Sequence, residues 1–94
     1  MIKTIKHSGL EKFFASGKKT GIDPQMAKKL QIILTALSVA SHPGEMDLPG
    51  LRLHPMKKGS KYEGYWAVEV SGNWRVLFKF EGTDVVDVNL VDYH

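Results

Sequence analysis

A large apolar residue at every second position between 73 and 80 is the feature that most restricts how this chain can fold. Four large apolar side chains occupy every second position of this run, at Trp74, Val76, Phe78 and Phe80. Successive side chains of a β-strand point to opposite faces, so these four share one face and Arg75 lies on the other. The run therefore predicts a strand with one buried face and one face of different character.

Neighbouring runs extend this strand into a sheet. Residues 62–70 and 85–91 are also rich in residues that favour strands. The Ser71–Gly72 pair predicts a tight turn between the first two strands, and residues 81–83 predict a turn before the last one. Consecutive hairpins of this kind make an antiparallel meander.

A fourth strand of the meander is predicted at residues 51–54. Leu51 and Leu53 would face the core, while Arg52 and His54 would face the other way. We expect Pro55 to end this strand, because proline cannot donate a hydrogen bond to a ladder. The alternation thus places Arg52, His54 and Arg75 on one face of the sheet.

The first half of the chain predicts a short strand at residues 2–7 and then two helices. Ser8 and Glu11 fit a capping box, and Gly17 suits the end of the first helix. Three apolar residues of this helix are expected on one face: Leu10, Phe13 and Phe14. Asp23 and Pro24 suit the start of the second helix. Its apolar stripe recurs at spacings of three and four: Met26, Ala27, Leu30, Ile33, Leu34, Leu37 and Ala40.

These elements predict one α+β domain over residues 1–94, a strand and two helices followed by a four-stranded antiparallel meander, with the helices on one sheet face. A chain of this length can bury somewhat over ~60% of its unfolded surface.

No apolar run approaches the ~20 residues of a membrane span, and the first residues lack the apolar block of a signal peptide. Without cysteine there is no disulfide framework or thiolate metal site. We expect a cytoplasmic domain.

Positive charge is concentrated in the middle of the chain, which has a net charge of +3. Residues 52–61 contain no acid and four bases, at Arg52, Lys57, Lys58 and Lys61. Residues 81–92 contain four acids and neither lysine nor arginine. A basic run can be a solvated loop, and it can also bind an anionic partner such as RNA.

Five side chains at the ends of predicted strands could form a catalytic site: His54, Arg75, Asp92, Tyr93 and His94. If they converge near the basic loop, they suit RNA cleavage without a metal. Histidine can move protons near neutral pH, and arginine or lysine can stabilise the charge that develops on phosphate.

Each of these residues also has a structural explanation: a histidine at a strand end, a solvent-facing arginine or a frayed tail. Zinc binding by His54, Asp92 and His94 is not favoured, because no closely spaced pair of ligands supports it. In an ideal strand Tyr93 points away from Asp92 and His94, so a common site requires the last strand to twist or break.

Four stretches together resemble the HigB toxins of the RelE superfamily: residues 1–7, residues 53–57, the hairpin at 63–76 and the ending at 91–94. The resemblance implies a RelE-like α+β fold and a ribosome-dependent mRNA endonuclease that uses no cofactor. By position it implies catalytic roles for His54, Arg75, Asp92, Tyr93 and His94. It also implies RNA binding by a lysine after the His-Pro step, but the basic loop is a residue or two longer than in the family, so Lys57 and Lys58 are not distinguished.

The partners implied by the resemblance are a helix-turn-helix antitoxin of the HigA type, the decoding site of the ribosome, and mRNA. Two other functions are compatible with the same elements. One is a ParE-like toxin, which inhibits DNA gyrase by binding and cuts no RNA. The other is an RNA-binding or ribosome-binding domain without catalysis, in which His54 would not be needed.

Overall fold

The computed structural model describes residues 1–93 of the chain, and His94 lies outside the described residues. Helix α1 spans Ser8–Ser16 and helix α2 spans Ala27–Val39. The strands that follow are β1 (His54–Pro55), β2 (Trp66–Ser71), β3 (Trp74–Glu81) and β4 (Asp84–Asp92). They form one antiparallel sheet in the order β1-β2-β3-β4, which is the predicted meander.

The chain before α1 forms isolated bridges to β4, whereas the sequence predicted a short strand. Ile2 pairs with Val85 and Ile5 with Val88, both in the parallel sense. Between these bridges Asp87 has a φ of +55°, a left-handed conformation that is uncommon outside glycine. The backbone N–H of Asp87 donates to the hydroxyl of Thr4 at 2.8 Å, so the N-terminal segment stabilises the irregular point of β4.

Helix α1 begins one residue earlier than the capping box predicted. Its N-cap is His7, whose Nδ1 accepts a hydrogen bond from the backbone N–H of Leu10 at 3.0 Å, and Ser8 is the first helical residue. Gly17 ends the helix as predicted, with a φ of +76°. Phe14 is 43% exposed and does not share the buried face of Leu10 and Phe13, because the helix turns it toward solvent.

Helix α2 follows a short 3₁₀ turn whose N-cap is Asp23, where the carboxylate accepts from the N–H of Gln25. The predicted apolar stripe of α2 and its flanks is buried throughout. It packs with residues of the sheet in one core, which includes Val68, Val76, Phe78, Val85 and Val88. We call this side of the sheet the helix face. No helix within residues 1–93 is long and apolar enough to cross a membrane.

Strand β1 differs from the prediction in position and length. Arg52 has a φ of +52° and therefore breaks the extended chain, so the strand is confined to His54 and Pro55. Pro55 lies within β1 and does not end it, which is possible because β1 is at the edge of the sheet. Pairing continues one residue further, as the N–H of Met56 donates to the carbonyl of Tyr65 at 2.9 Å. Residues 62–65 form a turn, so β2 begins only at Trp66.

The opposite side of the sheet, which we call the open face, carries a small second cluster. Met56, Ala67 and Leu77 are buried there beneath partly buried residues. These are Tyr62, Tyr65, Val91 and Tyr93. Three tyrosines therefore cover a shallow apolar layer, and their polar groups remain near the surface.

Candidate active site

A narrow cleft of about 80 Å³ lies at the edge of the open face. It is lined by the β1 residues and the start of the basic loop, together with the tail: His54, Pro55, Met56, Lys57 and Tyr93. Edge strand β1 supplies the histidine, the loop after it supplies the lysine, and the residue after β4 supplies the phenol. The fold thus brings together three side chains that the sequence singled out.

The tail is held in place as far as Tyr93. The backbone N–H of Tyr93 donates to the carbonyl of Asn73 at 2.9 Å. Its ring contacts the ring of Tyr62 edge-on, with centroids 5.9 Å apart and planes at 68°. Backbone and side chain are therefore both anchored, and Tyr93 is not part of a frayed end.

Asp92 lies on the opposite side of the tail from Tyr93. It pairs directly with Trp74, a helix-face residue of β3, and its side chain is exposed. The irregular register of β4 lies further upstream, opposite Leu77 to Lys79, so the alternation of Asp92 and Tyr93 is preserved. Asp92 does not line the cleft. The predicted role of His94 falls on a residue outside those described.

His54 is half-buried, and a hydrogen bond to the backbone orients its ring. Its Nδ1 lies 2.8 Å from the carbonyl oxygen of Arg52. A carbonyl can only accept a hydrogen bond, so Nδ1 carries the hydrogen and donates it. In the neutral imidazole the lone pair is then on Nε2, which is the nitrogen that can remove a proton. The carbonyl belongs to Arg52, the residue with the left-handed backbone.

Arg75 lies on the open face of β3, as predicted, but outside the cleft. One guanidinium nitrogen donates to the carbonyls of Gly72 at 2.8 Å and Trp74 at 3.2 Å. Another lies 3.8 Å from a carboxylate oxygen of Glu69, and the side chain is only 16% exposed. Arg75 is therefore folded back on its own hairpin in this structure.

The four bases of the predicted RNA-binding segment are all exposed, at Arg52, Lys57, Lys58 and Lys61. Lys57 lines the cleft whereas Lys58 does not, which separates two residues that the sequence left equivalent. The ammonium of Lys61 lies 5.5 Å from the ring centroid of Tyr62. The loop is tied by Glu63, whose carboxylate accepts from the N–H of Gly59 at 2.6 Å.

A second group of cations on the open face was not identified from the sequence. Lys6 donates to the hydroxyl of Tyr65 at 3.0 Å, and the ammonium of Lys79 lies 4.4 Å from the centroid of the same ring. The hydrogen bond from Lys6 to Tyr65 is the main reason why the pKa of Lys6 is raised. The alternation of β3 placed Lys79 on this face. The approach of Lys6 required the pairing of the N-terminal segment with β4, which the sequence did not reveal.

Comparison with known proteins bears on what such a cleft does. A family model described as a RelE-like toxin of the type II toxin–antitoxin system HigB matches residues 3–94. An endoribonuclease HigB of Proteus vulgaris is 38% identical over 94 residues, which is the whole of this chain and of that protein.

Two solved structures share the fold. A copper-bound mutant toxin from Helicobacter pylori aligns with a TM-score of 0.54 and 17% identity, covering 98% of this chain and 94% of the other. YafQ from Escherichia coli strain BL21(DE3) aligns with a TM-score of 0.54 and 18% identity, covering 98% and 91%. The predicted compact α+β architecture is confirmed by these two matches.

Proposed function

The chain belongs to the HigB family of RelE-like toxins of type II toxin–antitoxin systems, and we propose that it is an endoribonuclease that cuts mRNA on the translating ribosome. Endoribonuclease activity follows from the full-length similarity to the Proteus vulgaris enzyme. The dependence on the ribosome, and the residues that act, are the parts that we propose. Gyrase inhibition has no support, since the matched family and relative are of the HigB type.

One observation carries the proposed mechanism: His54 lies in a cleft with Lys57 and Tyr93, and its Nδ1 is bound to a backbone carbonyl. That hydrogen bond leaves Nε2 as the basic nitrogen. A general base of this kind needs to be within hydrogen-bonding reach of the proton it removes. We therefore assign His54 as the base and leave the acid to another group.

In the proposed reaction Nε2 of His54 takes the proton of a ribose 2′-OH. The 2′-oxygen attacks the adjacent phosphorus, the bond to the 5′-oxygen breaks, and the products are a 2′,3′-cyclic phosphate and a 5′-hydroxyl. Lys57 stabilises the negative charge on the phosphoryl oxygens, and the Tyr93 hydroxyl donates to one of them. His94, assigned from the sequence, gives a proton to the departing oxygen.

Arg75 and Asp92 have less direct roles in this proposal. Arg75 would stabilise the phosphate only after its guanidinium leaves the carbonyls of Gly72 and Trp74, so we propose that RNA binding draws it out. Asp92 would orient the last residue of the tail from the other side of the chain. The exposed bases Arg52, Lys58 and Lys61 would hold the surrounding RNA backbone.

The partners of the proposed reaction follow from the family. A type II toxin has a protein antitoxin, and we propose one of the HigA type with a helix-turn-helix domain. The substrate is mRNA in the decoding site of the ribosome, which places the reaction in the cytoplasm.

The test is reconstituted cleavage of a defined mRNA on purified ribosomes, with the ends of the products mapped. The variant His54→Ala should lower the single-turnover rate by about 10²–10⁴-fold, the usual contribution of a general base. His42→Ala is the matched control, since His42 is an exposed histidine in the loop after α2 and should not affect cleavage. A His54→Ala variant that cleaves at the wild-type rate would overturn the assignment. Cleavage of free mRNA at the same rate would overturn the dependence on the ribosome.

A further inference from the structure

We propose that Lys6, Tyr65 and Lys79 form a second RNA-binding site on the open face, which holds a backbone phosphate outside the cleavage cleft. This inference rests on the proposed function, because it names RNA as the ligand. It adds three residues, from the N-terminal segment, the turn before β2 and strand β3, that the catalytic proposal does not use.

Both lysines contact the same tyrosine from different directions. Lys6 donates to the Tyr65 hydroxyl at 3.0 Å, so the 5.7 Å between its ammonium and the ring centroid places it at the edge of the ring. Lys79 lies 4.4 Å from the centroid, close enough for a contact with the ring face. The stem of Lys79 also passes over Gly64, where a Cβ would be 3.8 Å from its Cε. The two ammonium groups are therefore positioned by contacts with the ring and the chain.

Neither ammonium is neutralised by an acid within ion-pairing distance among residues 1–93. Lys3, by contrast, lies 3.3 Å from a carboxylate oxygen of Asp84. The charge of Asp87 contributes to the raised pKa of Lys6, but no ion pair joins the two residues. Both ammonium charges would attract an anion bound beside this phenol.

The Tyr65 hydroxyl adds a third donor to this group. Its oxygen accepts from Lys6, so its own hydrogen is left to donate, and no acceptor for it lies in the described part of the chain. Two ammonium groups and one hydroxyl are donors that suit phosphate oxygens.

The location of the site favours RNA over other anions. Tyr65 contacts Tyr62 edge-on with centroids 6.0 Å apart, and Tyr62 contacts Tyr93 at 5.9 Å. Tyr93 lines the cleavage cleft, so the lysine pair is two ring contacts away from the proposed reaction. Aromatic rings interspersed with cations along one surface are typical of proteins that hold single-stranded nucleic acid. The open face would thus bind the strand on one side of the scissile bond.

The experiment measures equilibrium binding to ribosomes loaded with an mRNA whose target codon carries 2′-O-methyl riboses, so that no cleavage occurs. Lys6→Ala and Lys79→Ala should each weaken binding, on the order of tenfold if a charge-assisted hydrogen bond to phosphate is lost. The log–log dependence of affinity on salt should become less steep by about 0.7 for each phosphate contact removed from a single strand. Tyr65→Phe keeps the ring but removes the hydroxyl, so it should weaken binding less than either lysine variant.

Lys3→Ala is the matched control, because Lys3 lies in the same N-terminal segment but is paired with Asp84. It should bind as the wild type does. Parallel titrations with ribosomes that lack mRNA distinguish the two sources of phosphate. A loss seen only with mRNA assigns the site to the message, and an equal loss without mRNA assigns it to ribosomal RNA.

Lys6→Ala and Lys79→Ala variants that keep wild-type affinity and salt dependence on both kinds of ribosome would overturn the proposal. So would a loss of affinity for the antitoxin alone, since the site would then hold acidic protein side chains. His54→Ala is expected to bind normally while failing to cleave. Failure of the catalytic proposal would therefore appear in the cleavage assay, and failure of the second-site proposal would appear in the binding assay. A thermal unfolding scan of each variant checks that the fold is retained.

Discussion

The two faces of the sheet are built from alternating residues of the same strands, yet they differ in the size of their buried core and in the charges they carry. On the helix face, α1 and α2 bury a continuous apolar core that contains Phe78 and Leu37. On the open face three buried residues lie beneath tyrosines, and lysine ammonium groups contact the rings of Tyr62 and Tyr65. Because the larger core lies on the helix face, we expect that face to supply most of the stability. The open face can then accept the charges and the half-buried histidine that RNA cleavage needs.

Two adjacent residues of β3 allow the stability of the two faces to be measured separately. Phe78 and Leu77 are both fully buried, but Phe78 faces the helices and Leu77 faces the tyrosines. We expect Phe78→Ala to cost about 3–5 kcal/mol of unfolding free energy, since the surrounding core can collapse only partly. Leu77→Ala should cost about 2–3 kcal/mol, because a thin layer of side chains closes more easily over the gap.

Urea denaturation of both variants measures this difference. Thr83→Ala in the exposed turn before β4 is the control and should change stability by less than about 0.5 kcal/mol. Equal losses for Phe78→Ala and Leu77→Ala would show that the open face contributes as much to stability as the helix face.

Tyr93 tests whether stability and function are separable within the open face itself. Tyr93→Phe keeps the edge-on contact with Tyr62 and should leave the unfolding free energy unchanged. Tyr93→Ala removes that contact and should cost about 1 kcal/mol, the size of an aromatic pair. If the hydroxyl stabilises the phosphate, both variants should lose about 10²-fold in single-turnover cleavage. A Tyr93→Phe variant with full activity would leave the ring as a packing residue only.

The alternation of β3 predicted both faces correctly because it is a local property of the chain. The same is true of the α2 stripe and of Gly17, where each residue type suits its own backbone position. His54 was also placed correctly on the open face, although the strand around it is shorter than predicted. These features depend on residues that are near one another in sequence.

The features that the sequence did not reveal depend on contacts between distant segments or on side-chain choices. Lys6 reaches Tyr65 only because the N-terminal segment pairs in parallel with β4. Arg75 could donate either to solvent and phosphate or to its own hairpin, and alternation cannot choose between them. His7 replaced Ser8 as the cap of α1 because its imidazole can also accept from a backbone N–H.

Glu45, in the loop after α2, is expected to make a small contribution to stability that depends on pH. Its carboxylate accepts hydrogen bonds from the backbone N–H of Ser41 at 2.6 Å and from the Ser41 hydroxyl at 2.8 Å. These bonds lower the pKa of Glu45. Because the pKa is lower in the folded state, the resulting stability is present above the ordinary pKa of a glutamate and is lost as the pH falls through the folded value.

Glu45→Gln should therefore lower Tm slightly at neutral pH and have no effect once the wild-type carboxylate is protonated. Thermal scans of both proteins between neutral and acid pH measure whether the gap in Tm closes below the ordinary glutamate pKa of about 4.3. Glu81→Gln is the matched control, because Glu81 is an exposed glutamate at the end of β3. Cleavage at neutral pH should be unchanged in Glu45→Gln, because Glu45 does not line the cleft. A loss of cleavage without a change in Tm would contradict the division between a helix face that stabilises the fold and an open face that carries the cleavage site.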